Sequence, residues 1–471
     1  METLTRWRTT YANASWFRWV IFGTVASGTF MVNVDGSVMN VALPALERQF
    51  AVGPALLQWV ISGYLLIITG ILPVVGALSD RLNRKRVFLA GVFIFTTGSV
   101  LCAFSSTIDE LILFRIFQSL GGAIIMGNVM SIIAHIFPAG QRGRPIGLIG
   151  SVVAAGTIVG PSVGGLLIAA YGWPSVFWVN VPVGAVSIVM TLIVLDRMVS
   201  NQSTERFDGM GAILFFVGIV SLMIFVSEGT TWGWTSVSSW LSLALSIAAL
   251  SLFIWRELRA ASPVIELSLF RSGAFSVGNV AGYISYVMFM FPGFILPLYM
   301  QHVLHIPTAH IGLLLTPQAV CMIIVSPFGG RLTDKIGANW PAFAGMVTGT
   351  AGLWMMTRFT PATSYTDIVI ALSVFGAGMG LFTSPNTVAV LESVPIAKSG
   401  LTGSLIATVR NFGRVSGIAV AVLLLQSAGA NLATVQGFTM ATAYAFTGSV
   451  MIGAIGVLLS ASRLLRSAIG Q

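Results

Sequence analysis

The 471-residue chain is 56% hydrophobic and only 8% charged, whereas an ordinary soluble domain is about 25% charged. This composition excludes a typical soluble domain and predicts a polytopic membrane protein. The formal net charge of +9 at pH 7 could suggest nucleic-acid binding, but the positions of the cations between apolar segments favour a role in membrane topology.

Apolar segments long enough to cross about 30 Å of hydrocarbon recur along the whole chain. They predict an all-α integral membrane protein with fourteen transmembrane helices and without a soluble domain. The predicted spans are residues 19–42, 55–77, 87–105, 110–134, 145–169, 173–195, 209–227, 236–255, 273–297, 310–330, 340–357, 367–390, 401–425 and 438–461.

The Lys and Arg residues are distributed unevenly between the two sides of these predicted spans. If the N-terminus is cytoplasmic, most of the 24 cations fall in cytoplasmic segments, as the positive-inside rule requires. The sequence therefore predicts a multi-pass protein of the cell membrane with both termini in the cytoplasm. Basic residues at span ends are also expected to contact the headgroups of membrane lipids.

A short charged pattern occurs twice, at residues 76–86 and 330–337. In each copy an aspartate, Asp80 or Asp334, follows a glycine by four residues, and a cation follows the aspartate directly. Each copy lies where one predicted span ends and the next begins. Internal repeats of this kind are typical of secondary transporters and indicate two related halves.

The two halves can be aligned along their whole length. The offset of 254 residues between the repeated aspartates (334 minus 80) places the first six predicted spans on the last six, and predicted spans 7 and 8 are an extra pair. We therefore predict two pseudo-symmetric six-helix bundles, at residues 1–198 and 261–471, and a two-helix insert at residues 199–260.

Four further motifs occur in order in the first half of the chain. They are residues 35–44, which begin with Asp35, residues 111–122, which contain Arg115, residues 156–165, which are rich in glycine, and residues 173–184. Together with residues 76–86, these motifs resemble the major facilitator superfamily, in particular its fourteen-span drug/proton antiporter branch. The resemblance covers nearly the whole chain, although Asn83 and Ser119 stand where that family usually has glycine.

The resemblance implies how the inner end of such a transporter closes. Asp80 is expected to meet the positive N-terminal end of the helix that begins near Leu401. The candidate latch residues are Gly76, Asp80, Arg81, Arg84 and Asp334. Arg81 and Arg84 are also explained by topology or by lipid headgroups alone.

The glycine-rich motif of the fifth predicted span has two interpretations. Gly156, Gly160 and Gly164 are spaced by four and form a stripe of small residues on which another helix can pack closely. Pro161 can bend the helix, and Gly165 completes the motif. Generic helix packing explains the pattern, whereas the resemblance implies that this helix seals the interface between the halves, against span 10.

Asp35 is an ionisable residue inside the first predicted span, where a charge persists mainly if it faces a cavity or a partner. Arg115, in the fourth predicted span, lies at a similar depth, about 9 to 12 Å from the outer span ends. We predict that a proton on Asp35 competes with a cationic substrate, with Arg115 or with both, and so couples proton entry to export. A structural ion pair without transport is the alternative.

Met31, Asp35 and Met39 are spaced by four and therefore share a helix face. Thioethers are polarizable and adaptable, which suits a substrate cavity that accepts lipophilic molecules of many shapes. Ordinary packing of the methionines is the alternative. Arg410 and Arg414 share a face of the thirteenth predicted span, and they are expected either to reach the membrane surface or the latch, or to contact an anionic substrate directly.

These features predict a proton-coupled secondary exporter of lipophilic, often cationic, small molecules that works by alternating access. The alternatives are an exporter of a lipid, a glycolipid or an endogenous metabolite, and a membrane receptor or scaffold without transport. The expected partners are small lipophilic substrates, protons and membrane lipids, without nucleic acid. We expect no enzyme activity, no cofactor and no metal site. The sequence leaves the oligomeric state open, and a monomer is compatible with it.

Overall fold

The computed structural model describes residues 15–195, 207–260 and 263–469. Long α-helices make up nearly all of these ranges, and the described residues contain no strand. The helices are α1 Ser15–Phe50, α2 Pro54–Arg81, α3 Arg84–Ala103, α4 Ile108–Ile136, α5 Gly143–Tyr171, α6 Ser175–Trp178, α7 Asn180–Val194, α8 Gly209–Trp232, α9 Val237–Glu257, α10 Gly273–His302, α11 Thr308–Ile336, α12 Asn339–Met356, α13 Tyr365–Glu392, α14 Ser399–Ser427 and α15 Val435–Ile469.

The prediction of fourteen membrane spans is wrong. In the described part of the chain, 12 helical segments are long and apolar enough to cross a membrane, and α1 and α12 are not among them. Polar side chains such as Asn33, Asp35 and Asn40 lower the hydropathy of α1. The helix α12 is only 18 residues long and is rich in Gly and Thr. Its mean hydropathy is therefore also too low for a candidate membrane span.

The helices of each half of the chain pack mainly on one another. In the first half, α5 packs on α1, and α4 packs on both α2 and α3. In the second half, α13 packs on α11 and α12, and α10 packs on α14 and α15. The main contacts between the halves join α5 to α11 and α2 to α14. These two pairs of helices therefore hold the halves together.

One end of the helix bundle carries both repeated charged patterns. We call it the Asp80 end, because Asp80 lies at the C-terminal end of α2 and Asp334 lies near the C-terminal end of α11. Since α1 and α2 follow one another and contact each other as successive antiparallel helices, the C-terminal part of α1 and the first turns of α2 lie at the opposite end.

The helices α8 and α9 pack on each other, and α8 also contacts α2 and α14. At the start of this pair, Asp208 Oδ1 accepts a hydrogen bond of 3.0 Å from Gly211 N, and Asp208 pairs with Arg256 at 2.8 Å. Burial opposes ionisation, but these hydrogen bonds hold the pKa of Asp208 below its usual value. The ion pair therefore ties the start of α8 to the end of α9.

Candidate functional site

Asp35 lies inside α1 with none of its surface exposed. Arg115 Nη1, on α4, donates a hydrogen bond to Asp35 Oδ2 at 2.5 Å. Two amides donate to the other oxygen, Asp35 Oδ1: Gln118 Nε2 at 2.9 Å and Asn180 Nδ2 at 2.8 Å. The structure thus brings the two residues of the predicted pair, Asp35 and Arg115, into direct contact and adds two amide donors.

Arg115 is also buried and has further partners besides Asp35. Its Nη1 donates to Gln118 Oε1 at 2.7 Å, and its Nε donates to the carbonyl oxygen of Val60 at 3.4 Å. The guanidinium carbon lies 4.1 Å from the centre of the Tyr64 ring, a distance at which a cation is attracted to the face of an aromatic ring. Arg115 would therefore keep several contacts if Asp35 lost its charge.

Ser99, on α3, joins the two amides of this network. Its Oγ accepts hydrogen bonds from Gln118 Nε2 at 2.7 Å and from Asn180 Nδ2 at 3.2 Å, and it donates to the carbonyl oxygen of Phe95 at 3.0 Å. Asn180 is the first residue of α7, directly after the break between α6 and α7 at Val179. This break positions its amide toward α1 and α3.

The contacts of this site fit both a structural ion pair and a proton-binding group. Burying two charges costs several kcal/mol per ion, so an ion pair inside a protein is weak evidence for stability. Here the carboxylate is satisfied by three donors, and each donor has another acceptor nearby. Such a network can exist in two protonation states of Asp35 with different contacts between α1, α4 and α7.

Met31 and Met39 flank Asp35 along α1, but they enter two separate packed clusters. Met31 packs with residues such as Phe88 and Phe95, and Met39 packs with residues such as Leu111. Both side chains are buried, with 2% and 0% of their surface exposed. The structure therefore places them in hydrophobic packing and not among the residues that line the cavity described below.

Asp80 closes the gap between the halves at the Asp80 end. Its Oδ1 and Oδ2 accept hydrogen bonds of 2.9 Å from the backbone nitrogens of Gly400 and Leu401, at the start of α14. Gly76 permits this approach, because a Cβ atom there would lie 2.6 Å from the carbonyl oxygen of Gly400 and would collide with Ser404. A carboxylate at a helix N-terminus is stabilised by the helix dipole and by the free N–H groups.

Asp334, in the second half of the chain, makes the equivalent contact with a helix of the first half. Its two oxygens accept hydrogen bonds from the backbone nitrogens of Gly143 at 2.7 Å and of Arg144 at 3.0 Å, at the start of α5. A Cβ atom on Gly330 would collide with the carbonyl oxygen of Gly143. Each half of the chain therefore contributes an aspartate that caps a helix of the other half, and both contacts lie at the Asp80 end.

The two cations beside Asp80 have different surroundings. Arg84 is buried and donates to Asp80 Oδ1 at 3.3 Å and to Ser131 Oγ at 2.6 Å. Arg81 donates to the carbonyl oxygen of Pro263 at 3.3 Å and lies 5.5 Å from the centre of the Phe207 ring. The structure thus groups Arg84 with the Asp80 cap and places Arg81 against the segments that flank α8 and α9.

The glycine stripe of α5 faces α1. A Cβ atom on Gly156 would lie 2.9 Å from the Cβ atom of Asn33, and one on Gly160 or Gly164 would collide with Ser37 or Val38. Gly165 has more room, and Pro161 lies within the continuous helix. The same helix also packs on α11, the predicted span 10, through an earlier part, where Ser151 Oγ donates to the carbonyl oxygen of Ile323 at 2.6 Å.

A cavity of about 680 Å³ opens at the end opposite Asp80. Its walls come from α1, α2, α8, α10 and α14, and they include Glu47, Gln58, Phe294, Val415 and Ile418. Most of the lining residues are apolar. Its volume lies within the range of about 300 to 1,000 Å³ that is usual for small-molecule sites, so the cavity can hold a small lipophilic molecule.

Arg410 and Arg414 lie on α14 between the Asp80 end and this cavity. Both are partly buried, and their Nε atoms are enclosed without a hydrogen-bond partner. The guanidinium carbon of Arg414 lies 5.7 Å from the centre of the Tyr286 ring and 6.0 Å from that of Phe289, both on α10. Both arginines lie near the middle of α14, so the reach of an arginine from a helix end to the membrane surface does not explain them.

Sequence reasoning missed the polar partners of Asp35 and Arg115. Gln118 follows Arg115 by three residues, so both lie on one face of α4, and this spacing could have identified it. Asn180 lies in the motif at residues 173–184, but its contact depends on the helix break before α7. Ser99 and Tyr64 carry no signal of their own in the sequence, because their roles depend on which helices meet.

The comparison with protein families agrees with this architecture. The Major Facilitator Superfamily model matches residues 25–289 and 279–468, which together span most of the chain. The crystal structure of the human organic anion transporter MFSD10 (TETRAN) superimposes with a TM-score of 0.70, at 12% sequence identity, over 94% of this chain and 99% of that chain. At this low identity the likeness shows the fold alone.

Two relatives are similar in sequence over most of their length. The riboflavin transporter RibZ of Clostridioides difficile is 32% identical over 409 residues, which cover 85% of this chain and 87% of RibZ. The multidrug resistance protein Stp of Mycobacterium tuberculosis is 34% identical over 396 residues, which cover 83% of this chain and 73% of Stp. The chain therefore belongs to the Major Facilitator Superfamily, and it is a multi-pass membrane transporter of small molecules rather than an enzyme.

Proposed function

We propose that this transporter exports lipophilic small molecules, often cationic ones, in exchange for protons and by alternating access. The observation that carries the proposal is the buried carboxylate of Asp35, which is paired with Arg115 inside the first half of the chain. Ionisable residues within membrane-embedded helices are costly, and proton relays are a frequent reason for their presence.

The proton would act by changing the charge balance around Asp35. When Asp35 is ionised, its charge is compensated by Arg115 and by the amides of Gln118 and Asn180. A bound proton removes the negative charge, so that Arg115 keeps its contacts with Gln118, Val60 and the rings of Tyr64 and Phe177. The two protonation states thus favour different arrangements of α1, α4 and α7.

Alternating access would arise from motion of the two halves relative to each other. The caps made by Asp80 and Asp334 close the Asp80 end, while the cavity opens at the opposite end. The cation distribution along the chain supports a cytoplasmic position for the Asp80 end and for both termini. This conformation would therefore be closed toward the cytoplasm, and release of both caps would open it.

The walls of the cavity support lipophilic substrates. Apolar side chains of five helices form most of the surface, and one carboxylate, that of Glu47, lies among the lining residues. Asp35 is fully buried and does not line this cavity, so a cationic substrate would compete with Arg115 for its charge only after the halves have moved. The relationship to the multidrug resistance protein Stp supports export of foreign compounds.

The test is a measurement of proton movement that depends on substrate. Everted membrane vesicles are acidified inside and loaded with a fluorescent dye that reports internal pH, and a lipophilic substrate is then added. Exchange predicts that internal protons leave as substrate enters, and that vesicles without the protein do not respond. Substrate uptake without any change in internal pH would contradict proton coupling.

The relationship to RibZ favours a second candidate, transport of a flat heteroaromatic metabolite. RibZ is matched over 87% of its length, so the similarity covers most of that transporter. Flux of radiolabelled riboflavin into proteoliposomes, compared with flux of a lipophilic cation in the same preparation, distinguishes the two candidates. Saturable riboflavin flux without cation flux would favour the metabolite.

A further inference from the structure

Arg410 and Arg414 form a pair of cations deep in α14. They follow the first residue of that helix, Ser399, by 11 and 15 residues, which corresponds to about 16 and 22 Å along the helix axis. Their spacing of four places them on one face of α14. This depth separates them from the lipid headgroups, which arginines near helix ends reach with their flexible side chains.

Among the described residues, no acidic side chain compensates the charge of this pair. Within the described part of the chain, neither arginine forms an ion pair, and the Nε atom of each is buried without a hydrogen-bond partner. Two neighbouring positive charges in a low-dielectric region also repel each other. An arrangement of this kind is unfavourable unless another group supplies the negative charge.

Arg463 shows what a structural arginine looks like in the same protein. It is buried in α15, and its Nη1 donates a hydrogen bond of 2.7 Å to Asn386 Oδ1. Asn386 in turn donates to the carbonyl oxygen of Gly278 at 2.9 Å. The described part of the chain thus provides a polar acceptor for Arg463, whereas it provides none for the Nε atoms of Arg410 and Arg414.

Two aromatic side chains of α10 lie beside Arg414. The rings of Tyr286 and Phe289 lie about 6 Å or less from the guanidinium carbon of Arg414, within the usual range for contact between a cation and a ring. Tyr283 stacks on Phe412 with ring centres 5.8 Å apart. A flat molecule that approaches the pair would therefore meet aromatic surfaces from the second half of the chain.

The apolar cavity is lined by residues of α14 that adjoin Arg414, although neither arginine lines it. Arg414 directly precedes Val415, which lines the cavity, and Ile418 lines it one turn further along α14. Ile418 lies on the same face of the helix as Arg414. A substrate in the cavity can therefore place a polar end toward the arginines while its apolar body remains among Phe294, Val415 and Ile418.

We propose that Arg410 and Arg414 bind the anionic group of an aromatic substrate, such as a carboxylate, whose ring system lies against Tyr286, Phe289 and the apolar cavity. Guanidinium groups form strong, charge-assisted hydrogen bonds with carboxylates and phosphates. The anion supplies the missing negative charge. This inference rests on the proposed function only in taking the bound molecule as a transport substrate, and it extends the substrate class to anionic and zwitterionic aromatic compounds.

The test compares two probes that differ only in charge, 2-naphthoate and its methyl ester. Binding to the purified protein in lipid nanodiscs is measured by calorimetry, with empty nanodiscs as a control for partition into lipid. We expect the protein to bind 2-naphthoate at least about tenfold more tightly than the ester, a difference of about 1.4 kcal/mol. Equal affinity for the two probes would overturn the proposal.

Substitution of each arginine tests whether the pair causes this difference in affinity. Arg410→Gln and Arg414→Gln should each weaken 2-naphthoate binding about tenfold while the affinity for the ester changes less than about threefold. The matched control is Arg331→Gln, because Arg331 is an exposed cation beside an aromatic ring, Phe328, on α11. An equal loss in Arg331→Gln would also overturn the proposal. Binding requires no proton gradient, so the result is independent of proton coupling.

Discussion

Arg115 has more partners besides Asp35 than Asp35 has charged partners besides Arg115. Arg115 has acceptors in Gln118 and Val60 as well as the ring of Tyr64, whereas the negative charge of Asp35 faces one cation, Arg115, within the described network. Loss of Arg115 should therefore be more harmful than loss of the charge on Asp35. This asymmetry leads to a measurable prediction about stability.

Arg115→Leu should lower the stability of the protein by about 3 to 5 kcal/mol, because it leaves a buried carboxylate without its partner. Adding Asp35→Asn to the same chain should recover at least about 1 kcal/mol of this loss, because the unpaired charge is removed. Unfolding of the purified variants in detergent measures both effects. Strictly additive losses from the two substitutions would show that the residues do not interact.

Tyr64 contributes its ring, and not its hydroxyl, to the site. The hydroxyl is buried without a hydrogen-bond partner, while the ring lies 4.1 Å from the guanidinium of Arg115. Tyr64→Phe should therefore leave the unfolding temperature unchanged or raise it, whereas Tyr64→Ala should cost about 3 to 5 kcal/mol through lost packing. A large loss in Tyr64→Phe would mean that the hydroxyl has an essential partner.

Some of these residue contacts could be predicted from the sequence, and others could not. Asp35 and Arg115 are charged residues in otherwise apolar segments and lie at similar depth, so the sequence alone identified them as candidate site residues. Amides and hydroxyls such as Asn180 and Ser99 occur in many helices without a role of this kind. Met31 and Met39 share a face with Asp35, but the spacing cannot tell whether that face meets a cavity or other helices.

The helix caps at the Asp80 end are a pair of contacts between elements. Asp80 on α2 caps α14, and Asp334 on α11 caps α5. Each substitution to asparagine keeps one side-chain oxygen but removes the charge that the helix dipole stabilises. Loss of a cap typically costs about 0.5 to 2 kcal/mol, enough to change the balance between two conformations severalfold.

We expect Asp80→Asn and Asp334→Asn to increase the fraction of molecules that are open at the Asp80 end, by about fivefold for a loss of about 1 kcal/mol. Spin labels at Gln141 and Ile336, both exposed at that end, report the separation of the halves. Cys102 and Cys321 are replaced by alanine beforehand so that only these labels attach.

The control for the cap substitutions is Asp367→Asn. Asp367 forms a capping box with Ser364 at the start of α13. Both residues lie in the second half of the chain, at the end of the bundle opposite Asp80. This variant loses a capping charge without losing a contact between the halves. Distances that stay the same in Asp80→Asn and Asp334→Asn, or that change equally in Asp367→Asn, would contradict a latch role for the two aspartates.

The packing of α5 on α1 depends on individual glycines. A Cβ atom on Gly160 would lie 3.0 Å from the carbonyl oxygen of Val34 and would collide with Ser37, whereas one on Gly165 would meet only Val41, at 3.8 Å. Gly160→Ala should therefore lower stability by about 1 to 3 kcal/mol. Gly165→Ala should be neutral or slightly stabilising, since alanine favours helix. Equal unfolding temperatures for the two variants would contradict this packing.

At the level of elements, the internal repeat was the most informative feature of the sequence. It related Asp80 to Asp334, while the resemblance to the major facilitator superfamily implied the start of α14 as the partner of Asp80. The number of spans was overestimated because α1 and α12 are helices of suitable length. Their Asn, Thr and Gly residues make their mean hydropathy too low for a membrane span. The resemblance led us to expect that α5 packs on α11, which it does, whereas the glycines themselves meet α1, because a stripe of small residues does not specify which helix it meets.

The whole molecule combines a closed end, an open cavity and a buried charge network. The two caps join the halves at the Asp80 end, the cavity lies at the opposite end, and the network of Asp35 lies within the first half. The central proposal is that a proton on Asp35 changes the contacts of α1 and thereby the relation of the halves. Substrate and proton would then cross the membrane in opposite directions.

Uphill transport by Asp35→Asn tests this central proposal most directly. The variant and the unmodified protein are reconstituted in proteoliposomes whose lumen is more acidic than the outer buffer, so that protons leave the vesicles along their gradient. Accumulation of a labelled lipophilic substrate is followed after size-exclusion chromatography has shown that the variant is folded. The proposal predicts accumulation by the unmodified protein and none by Asp35→Asn. Accumulation by Asp35→Asn at the unmodified rate would remove Asp35 from the coupling mechanism.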